Sequence, residues 1–346
     1  MSRSESAPKR RLKAAGPVKM ADVARRAGVS LMTVSRVYNA PDLVSAETRV
    51  KVQRIADRLG YIPNLVAGNL ASGRSGIITA IVPSLSNSYF AATLQGMADS
   101  LRQVNLHLVM AESGYDLENE ARVISVSLGR RPDGIMLIGS KHSPAAVAMI
   151  RNSGIPVVET WETRGPFIDM AVGFSHFDAA RDLVTYLVAR GHRRIGYIDH
   201  LQPQARRHLD RTEGIRQTLR QAGLPDTIYV AMPDVGGFSA GRSALQQLLD
   251  LDAGISAVIC ATDVYAAGAI FECTARGIRV PQQLAVCGFG DLEVAGAIEP
   301  PLTTINTNAH RIGTEAGAML IACIGGKKPR ARVVDVGYSL IRRQSA

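Results

Sequence analysis

Met20-Ala-Asp-Val-Ala-Arg-Arg-Ala-Gly-Val-Ser-Leu-Met-Thr-Val-Ser-Arg-Val-Tyr-Asn39 reads as two short helices joined by a tight turn. Met20, Val23, Ala24 and Ala27 keep helical spacing and give the first helix a small apolar stripe. Gly28 supplies the backbone freedom of a left-handed helix end. Ser30 is placed to cap the second helix, with Val34 and Val37 facing inward. Leu31, Met32, Thr33, Ser35 and Arg36 then face outward. Two helices so joined make a helix-turn-helix, which lays its second helix in the major groove of DNA.

Charge points the same way. Residues 1–74 hold 14 Lys and Arg against 5 Asp and Glu, a net of +9, whereas the whole chain of 346 residues is only +10. A polyanion-binding head on a near-neutral body follows. For residues 1–16 a solvated basic tail is an equal alternative.

The head continues into a third helix over Ser45–Leu59, closed by Gly60, with Val52, Ile55, Ala56 and Leu59 inward. Three helices in about 40 residues make a core that is marginal alone. In Tyr61-Ile-Pro-Asn-Leu-Val-Ala-Gly-Asn-Leu-Ala71, Pro63 suits a first helical turn. Two turns fall below the ~12–15 residues an isolated helix needs. The segment is either a helix that forms only on DNA beside its twin, or a plain linker.

From residue 75 the pattern alternates. Buried parallel strands are predicted at Ile77–Val82, Leu106–Ala111, Gly134–Ile138, Pro156–Glu159, Arg194–Ile198, Ile228–Ala231, Ala257–Ala261 and Leu284–Cys287. Helices are predicted between them, among them Ala91–Val104, Phe177–Arg190, Glu213–Ala222, Ala240–Leu251 and Val264–Ala275. This is a doubly wound α/β body. A break near 170–176 favours two lobes, with a ligand cleft between them.

Several function classes lose support. No GxxxxGK[ST], GxGxxG after the first strand, GxSxG or HExxH is present, so an α/β enzyme lacks its motif. The seven histidines show no metal-ligand spacing, and His192 reads as a structural residue between helix and strand. Cys260, Cys273, Cys287 and Cys323 form no CxxC pair and are expected to be reduced. No apolar run reaches the ~18 residues of a membrane span. The basic N-terminus lacks the apolar core of a secretory signal, so a cytoplasmic protein is expected, not a periplasmic solute-binding protein.

The stretch 18–39, the Tyr61-Ile-Pro-Asn64 hinge entry and the two-lobed body resemble the LacI/GalR transcriptional regulators over about residues 18–341. Ser30–Arg36, Val82–Asn87, Gly114-Tyr115, Asp169–Phe174 and Ala269–Cys273 are similar to the gluconate-utilisation repressor subgroup. The resemblance implies a small all-α head and an α/β body of two doubly wound parallel-sheet lobes, of periplasmic-binding-protein type. It divides the chain into a tail (1–17), a DNA-binding domain (18–62), a hinge helix or linker (63–74) and an effector-binding and dimerisation domain (75–341). The lobes of that domain would be about 75–175 plus 306–326, and 176–305 plus 327–341.

For DNA, the resemblance implies that Leu31, Met32 and Arg36 meet base edges or nearby phosphates. Thr33, Ser35, Asn39, Asn64 and Ala67 are the further expected contacts. Leu70 would wedge into the minor groove at the centre of a palindrome, or else simply pack the hinge. For the effector, the implied cleft residues are Ser84, Tyr89, Phe90, Trp161, Arg211, Phe238, Thr262, Asp263 and the Gly288–Asp291 turn, ending at Asp291. Phe238 and Trp161 would stack on a sugar-like chain or pack the core. Arg211, placed at the opening of a helix, lies close to Arg206, Arg207 and His208. These are either a solvated basic loop or, with Arg207 and Arg211 foremost, a seat for an anion. Gly290 replaces the carboxylate usual in sugar-binding relatives, which agrees with a sugar acid such as gluconate. The expected protein is a homodimeric, ligand-gated repressor with no cofactor, no metal and no enzymatic activity. A regulator sensing a neutral sugar is the alternative. No leucine heptad follows the body, so a tetramer is not expected.

Overall fold

The computed structural model describes residues 18–62, 74–85, 88–200, 205–232 and 236–346. The chain divides into two units at the Ser75–Gly76 boundary. The expected tail, and the hinge residues Asn64, Ala67 and Leu70, lie outside the described residues, as does the side chain of Asn39.

The first unit contains helices α1 (Met20–Ala27), α2 (Leu31–Asn39) and α3 (Ala46–Leu59). Local chemistry fixes their ends. The Lys19 N–H donates to the Asp22 carboxylate at 3.0 Å, at the start of α1. Gly28 closes that helix at φ 66°. Ser30 Oγ caps α2 by accepting from the Thr33 N–H at 3.1 Å, and Ser45 Oγ caps α3 through the Thr48 N–H at 3.3 Å. Val23, Ala24, Ala27, Val34, Val37, Val52 and Ala56 form the core. Most of these side chains are small, so each contributes little apolar area.

The second unit holds two parallel sheets. Its strands are β1 (Ile77–Val82), β2 (His107–Glu112), β3 (Gly134–Ile138), β4 (Val157–Thr160), β5 (Met170–Gly173), β6 (Ile195–His200), β7 (Ile228–Met232), β8 (Ala257–Cys260), β9 (Ala285–Cys287), β10 (Thr304–Asn306), β11 (Val333–Asp335) and β12 (Ser339–Ile341). One sheet runs β11-β5-β4-β3-β1-β2 and the other β7-β6-β8-β9; β10 and β12 form a short antiparallel ribbon. The helices are α4 (Ala91–Arg102), α5 (Leu117–Gly129), α6 (Pro144–Ser153), α7 (His176–Ala189), α8 (Arg206–Gln221), α9 (Phe238–Leu251), α10 (Asp263–Arg276), α11 (Glu293–Ala297) and α12 (Ala309–Ile324). Strands such as β3 and β4 are buried along their whole length, as apolar strands covered on both faces must be.

Val333–Asp335 pairs with β5 in the first sheet, although the sequence assigned 327–341 to the second lobe. The strand is too short and too exposed to declare its sheet by pattern. Its pairing means that the chain returns to the first lobe near its end. Helices α4 and α12 pack closely across that lobe. A Cβ at Gly96 would overlap the His310 carbonyl, and one at Gly313 would overlap the Thr93 carbonyl. Glycine lets the two backbones meet.

Candidate DNA interface and inter-lobe cleft

Helix α2 presents the expected reading face. Leu31 is 53% and Met32 61% exposed, although both are large and apolar. Neither serves the core, which takes Val34 and Val37 from the same helix. Arg36 is exposed and Ser35 half-buried on that side. Thr33 does a further job, because its hydroxyl lies 2.9 Å from Ser30 Oγ at the cap. Arg26 on α1 and Lys51, Arg54 and Arg58 on α3 add exposed cations to the same small unit. An exposed apolar pair beside arginine suits thymine methyls and guanine edges, and the flanking cations suit phosphates.

In the second unit, a pocket opens at the carboxyl ends of the first-lobe strands. Pro83, Ser113, Tyr115, Ser140 and Glu162 line it, and Ala205, Arg206 and Arg207 close it from the start of α8. This is where open parallel sheets place ligands. The Ser140 hydroxyl donates to Glu162, whose other oxygen accepts from the Arg207 N–H at 3.2 Å. A second, wider opening is lined by Tyr89, Phe238, Val264, Gly290, Asp291 and Asn306.

Tyr89, at the edge of the second opening, belongs to a buried aromatic cluster. Trp161 stacks at 4.5 Å from Tyr89 and at 5.6 Å, edge-on, from Phe90. All three are buried, so Trp161 packs as core. Arg207 lies 5.7 Å over the Phe90 ring and Arg211 4.9 Å over the Phe289 ring. Tyr115, Trp161 and Asp291 hold φ values of 59°, 78° and 55°. Left-handed backbone at bulky residues is costly, and its concentration around a cleft is typical of ligand sites.

The remaining expected residues serve the frame. Thr262 caps α10 by accepting from the Tyr265 N–H at 3.3 Å. Asp263 accepts from the Thr304 hydroxyl at 2.5 Å and the Leu292 N–H at 2.7 Å. Burial lifts its pKa to about 6. A Cβ at Gly288 would overlap its carboxylate, which explains that glycine. Asp291 pairs with Arg343 at 2.7 Å and accepts from Asn306 at 2.8 Å. Ser84 is half-buried after β1 and lines neither opening. Phe238, 44% exposed, packs edge-on against Phe271 at 5.6 Å.

Two corrections concern α8. Its start is Arg206, not Glu213, so Arg211 sits in the second turn and does not open the helix. The cluster is also no solvated loop. Arg207, His208 and Arg211 are buried, and only Arg206 faces water, 3.8 Å from Asp210. The first turns of α8 carry a polar inner face, which an apolar-periodicity reading passes over.

That inner face meets the end of β6. His208 Nδ1 lies 2.8 Å from Asp199 Oδ1 and 2.9 Å from Arg211 Nη2. Arg211 Nη1 donates to the Ala261 carbonyl at 3.3 Å. Tyr197 donates to Asp199 at 2.7 Å. His200 stacks edge-on with His208 at 4.4 Å and with Tyr115 at 6.1 Å. Burial would raise the Asp199 carboxyl, but His208 and Arg211 hold it well below the usual range. Burial and the neighbouring cations push His200 down to about 3 and His208 to about 4. The fold therefore assembles Asp199, His200 and His208 within 4.8 Å, where sequence spacing shows no metal-ligand pattern. The donor chemistry does not fit a cation: His208 Nδ1 already serves Asp199, and buried Arg207 and Arg211 stand beside the group. Asp199, His200, Tyr115, Ser140 and Glu162 were not foreseen from sequence. The signal lay in β6, whose true end at His200 puts its last two polar residues at the ligand end of a parallel strand.

Among the described residues no helix is long and apolar enough to cross a membrane. The four cysteines are free.

Comparison with known proteins accounts for both units. Residues 19–64 match the bacterial regulatory proteins of the lacI family, and residues 184–346 match the periplasmic binding protein-like domain. The chain is 34% identical over 320 residues to the transcriptional regulator GntR of Escherichia coli, covering 92% of this chain and 96% of that one. It is 36% identical over 325 residues to GntR of Pseudomonas aeruginosa, covering 94% of each. The repressor CytR of E. coli is 32% identical over 310 residues, 89% of this chain and 90% of its own. Among solved structures, a LacI family regulator from Silicibacter pomeroyi superposes with a TM-score of 0.89 at 31% identity, covering 95% and 99% of the two chains. The lac repressor dimer bound to operator superposes with a TM-score of 0.81 at 28% identity, covering 95% and 99%. These relatives are regulators rather than enzymes, and the chain belongs to the LacI family of DNA-binding transcriptional regulators.

Proposed function

We propose that this regulator is a homodimeric repressor whose hold on a palindromic operator is controlled by a sugar acid, gluconate or a close relative, bound between the lobes. The observation that carries the effector class is the burial of Arg207, which lines the first pocket, with His208 and Arg211 buried behind it on the same helix, on a body that is otherwise near neutral. Buried guanidinium groups need anionic or carbonyl partners. A carboxylate supplies one, and the nearby Ser140 and Glu162 offer hydrogen-bonding groups to hydroxyls. Gly290, where a side chain would approach the Tyr89 ring, places no carboxylate at that position. The similarity to two GntR proteins supports the same class.

Dimerisation is supported by geometry and by surface. One helix reads a few base pairs, so a palindrome needs two heads. Strand β2 ends the first sheet with Val109 and Met110 exposed, next to exposed Val126 of α5. An open apolar edge of this kind is a pairing surface. In this account residues 63–74 form the hinge, with Asn64 and Ala67 contacting DNA and Leu70 wedged into the minor groove. An effector moves the balance only by its differential affinity for the two states; a 100-fold change in operator affinity needs about 2.7 kcal/mol of coupling.

The test is a calorimetric screen of gluconate, 2-ketogluconate, 6-phosphogluconate, glucose and cellobiose against the full chain. Saturable binding of an acid and none of the neutral sugars is expected. Binding of glucose or cellobiose alone would replace the acid by a neutral effector.

A further inference from the structure

The strands of the first lobe's sheet are parallel, so all of them begin at one end. Cations gather at that end. The turn before β3 carries Arg130 and Arg131, the last turn of α6, before β4, carries Arg151, and the segment before β11 carries Lys327, Lys328 and Arg330. All six are exposed, and none makes an ion pair among the described residues. The nearby carboxylates are already engaged: Asp133 accepts from the Gly76 N–H at 2.8 Å, and Asp169 pairs with Arg332. The Ala171 N–H donates to the Arg332 carbonyl at 2.8 Å, which ties the segment 327–332 to β5. Lys327, Lys328 and Arg332 line a groove there with Pro156 and Asp169. The other end of the sheet has exposed Glu112, Asp116 and Glu118 after β2. The near-neutral body therefore conceals a lobe with one positive end.

Strand β1 starts at the same end. The chain passes from the helical unit into this lobe at Gly76, whose carbonyl accepts from the His107 N–H at 2.8 Å. Residues 63–74 are all that join the helical head to that point. A tether so short makes a second, weak contact to the same ligand intramolecular. We infer that this basic rim of the first lobe is a second DNA-contacting surface, which meets phosphates of the duplex that α2 reads. Across β11-β5-β4-β3, at ~4.8 Å per strand, the rim spreads over about 15 Å. A duplex carries one charge per ~1.7 Å of its axis, so a segment of that width offers several phosphates. Lysine and arginine on exposed turns bond phosphate oxygens without reading bases. The rim adds affinity and salt dependence on every duplex and leaves base preference to α2. It lies at the opposite end of the sheet from the first pocket, so the inference does not depend on the effector.

The test is fluorescence anisotropy of the full chain on its selected palindrome and on an unrelated duplex of equal length, from ~50 to ~200 mM salt. The rim variant combines Lys327→Ser, Lys328→Ser and Arg330→Ser. A control removes the same charge from the second lobe through Arg193→Ser, Arg220→Ser and Arg279→Ser, all at exposed positions. Each phosphate contact contributes about 0.9 to the slope of log affinity against log salt. The rim variant should lower the magnitude of that slope by about 1–3 on both duplexes and weaken both by about tenfold at the lowest salt. Their affinity ratio should stay within about twofold, because phosphate contacts carry no sequence information. The control should keep the native slope. Arg130→Ser with Arg131→Asn, before β3, should lower the slope by about 1–2 and keeps the test open if the triple variant does not fold. A native slope in every rim variant that folds, or an equal loss in the control, overturns the inference. So does native duplex binding together with lost binding to poly-glutamate, which would make the rim a surface for an acidic protein.

Discussion

Asp199 and His208 lie 2.8 Å apart and are both buried, one at the end of β6 and the other in the first turn of α8. This contact joins the strand end to the helix that carries Arg207 to the first pocket. Asp199→Asn removes the charge that faces both His208 and Arg211. Breaking one side of a buried charged cluster typically costs about 3–5 kcal/mol. A urea titration of the variant should show a loss of that order in the second unit. A loss under about 0.5 kcal/mol, the level of a surface change, would mean that the cluster is not held as described.

His142 sits between Glu120 at 2.9 Å and Glu159 at 3.3 Å. Burial lowers its pKa, but the two glutamates outweigh burial and raise it to about 9. The folded value lies above the unfolded value of about 6.5, so the imidazolium stabilises the fold. That contribution is complete below about pH 6.5 and is lost as pH rises through 9, on the order of 3 kcal/mol in all. Melting temperatures across pH 6 to 10 should fall in this window for the native chain. His142→Gln should start lower and flatten the profile; an unchanged slope would remove His142 as the cause.

Leu31 and Met32 are exposed on α2 and support no core contact. Leu31→Ala or Met32→Ala should leave the melting temperature within error while weakening operator binding by roughly 1–3 kcal/mol each. Equal binding to specific and unrelated duplexes before and after substitution would deny α2 its reading role.

Gly96 faces the His310 backbone where α4 crosses α12. Gly96→Ala should cost about 1–3 kcal/mol by forcing the helices apart, despite alanine's better helix propensity. A stabilised variant in thermal denaturation would show that the two helices do not approach so closely.

What sequence could reveal follows from where apolar pattern dominates. Ile77–Val82 and Gly134–Ile138 have the same bounds in sequence and structure because they are short apolar runs, broken only by Thr79, and buried on both faces. Gly28 and Ser30 declared the helix-turn-helix through capping chemistry, beside the apolar stripe of Val23, Ala24, Ala27, Val34 and Val37. Short strands such as Met170–Gly173, Thr304–Asn306 and Val333–Asp335 carry too few residues to show a period and are fixed by their partners. The cleft was legible in part. Arg207 and Arg211 stood out by charge, but their burial, and the bond from Arg211 to His208 that reaches Asp199, depend on β6 and α8 coming together in space.

The most direct test of the central claim is fluorescence anisotropy of the full chain on the palindrome it selects from a random duplex pool, with and without saturating gluconate. A repressor gated through its cleft should bind that duplex with steep loss between ~50 and ~200 mM salt, and gluconate should change that affinity at least tenfold. Operator affinity unchanged by gluconate, while calorimetry shows the cleft occupied, would contradict the account.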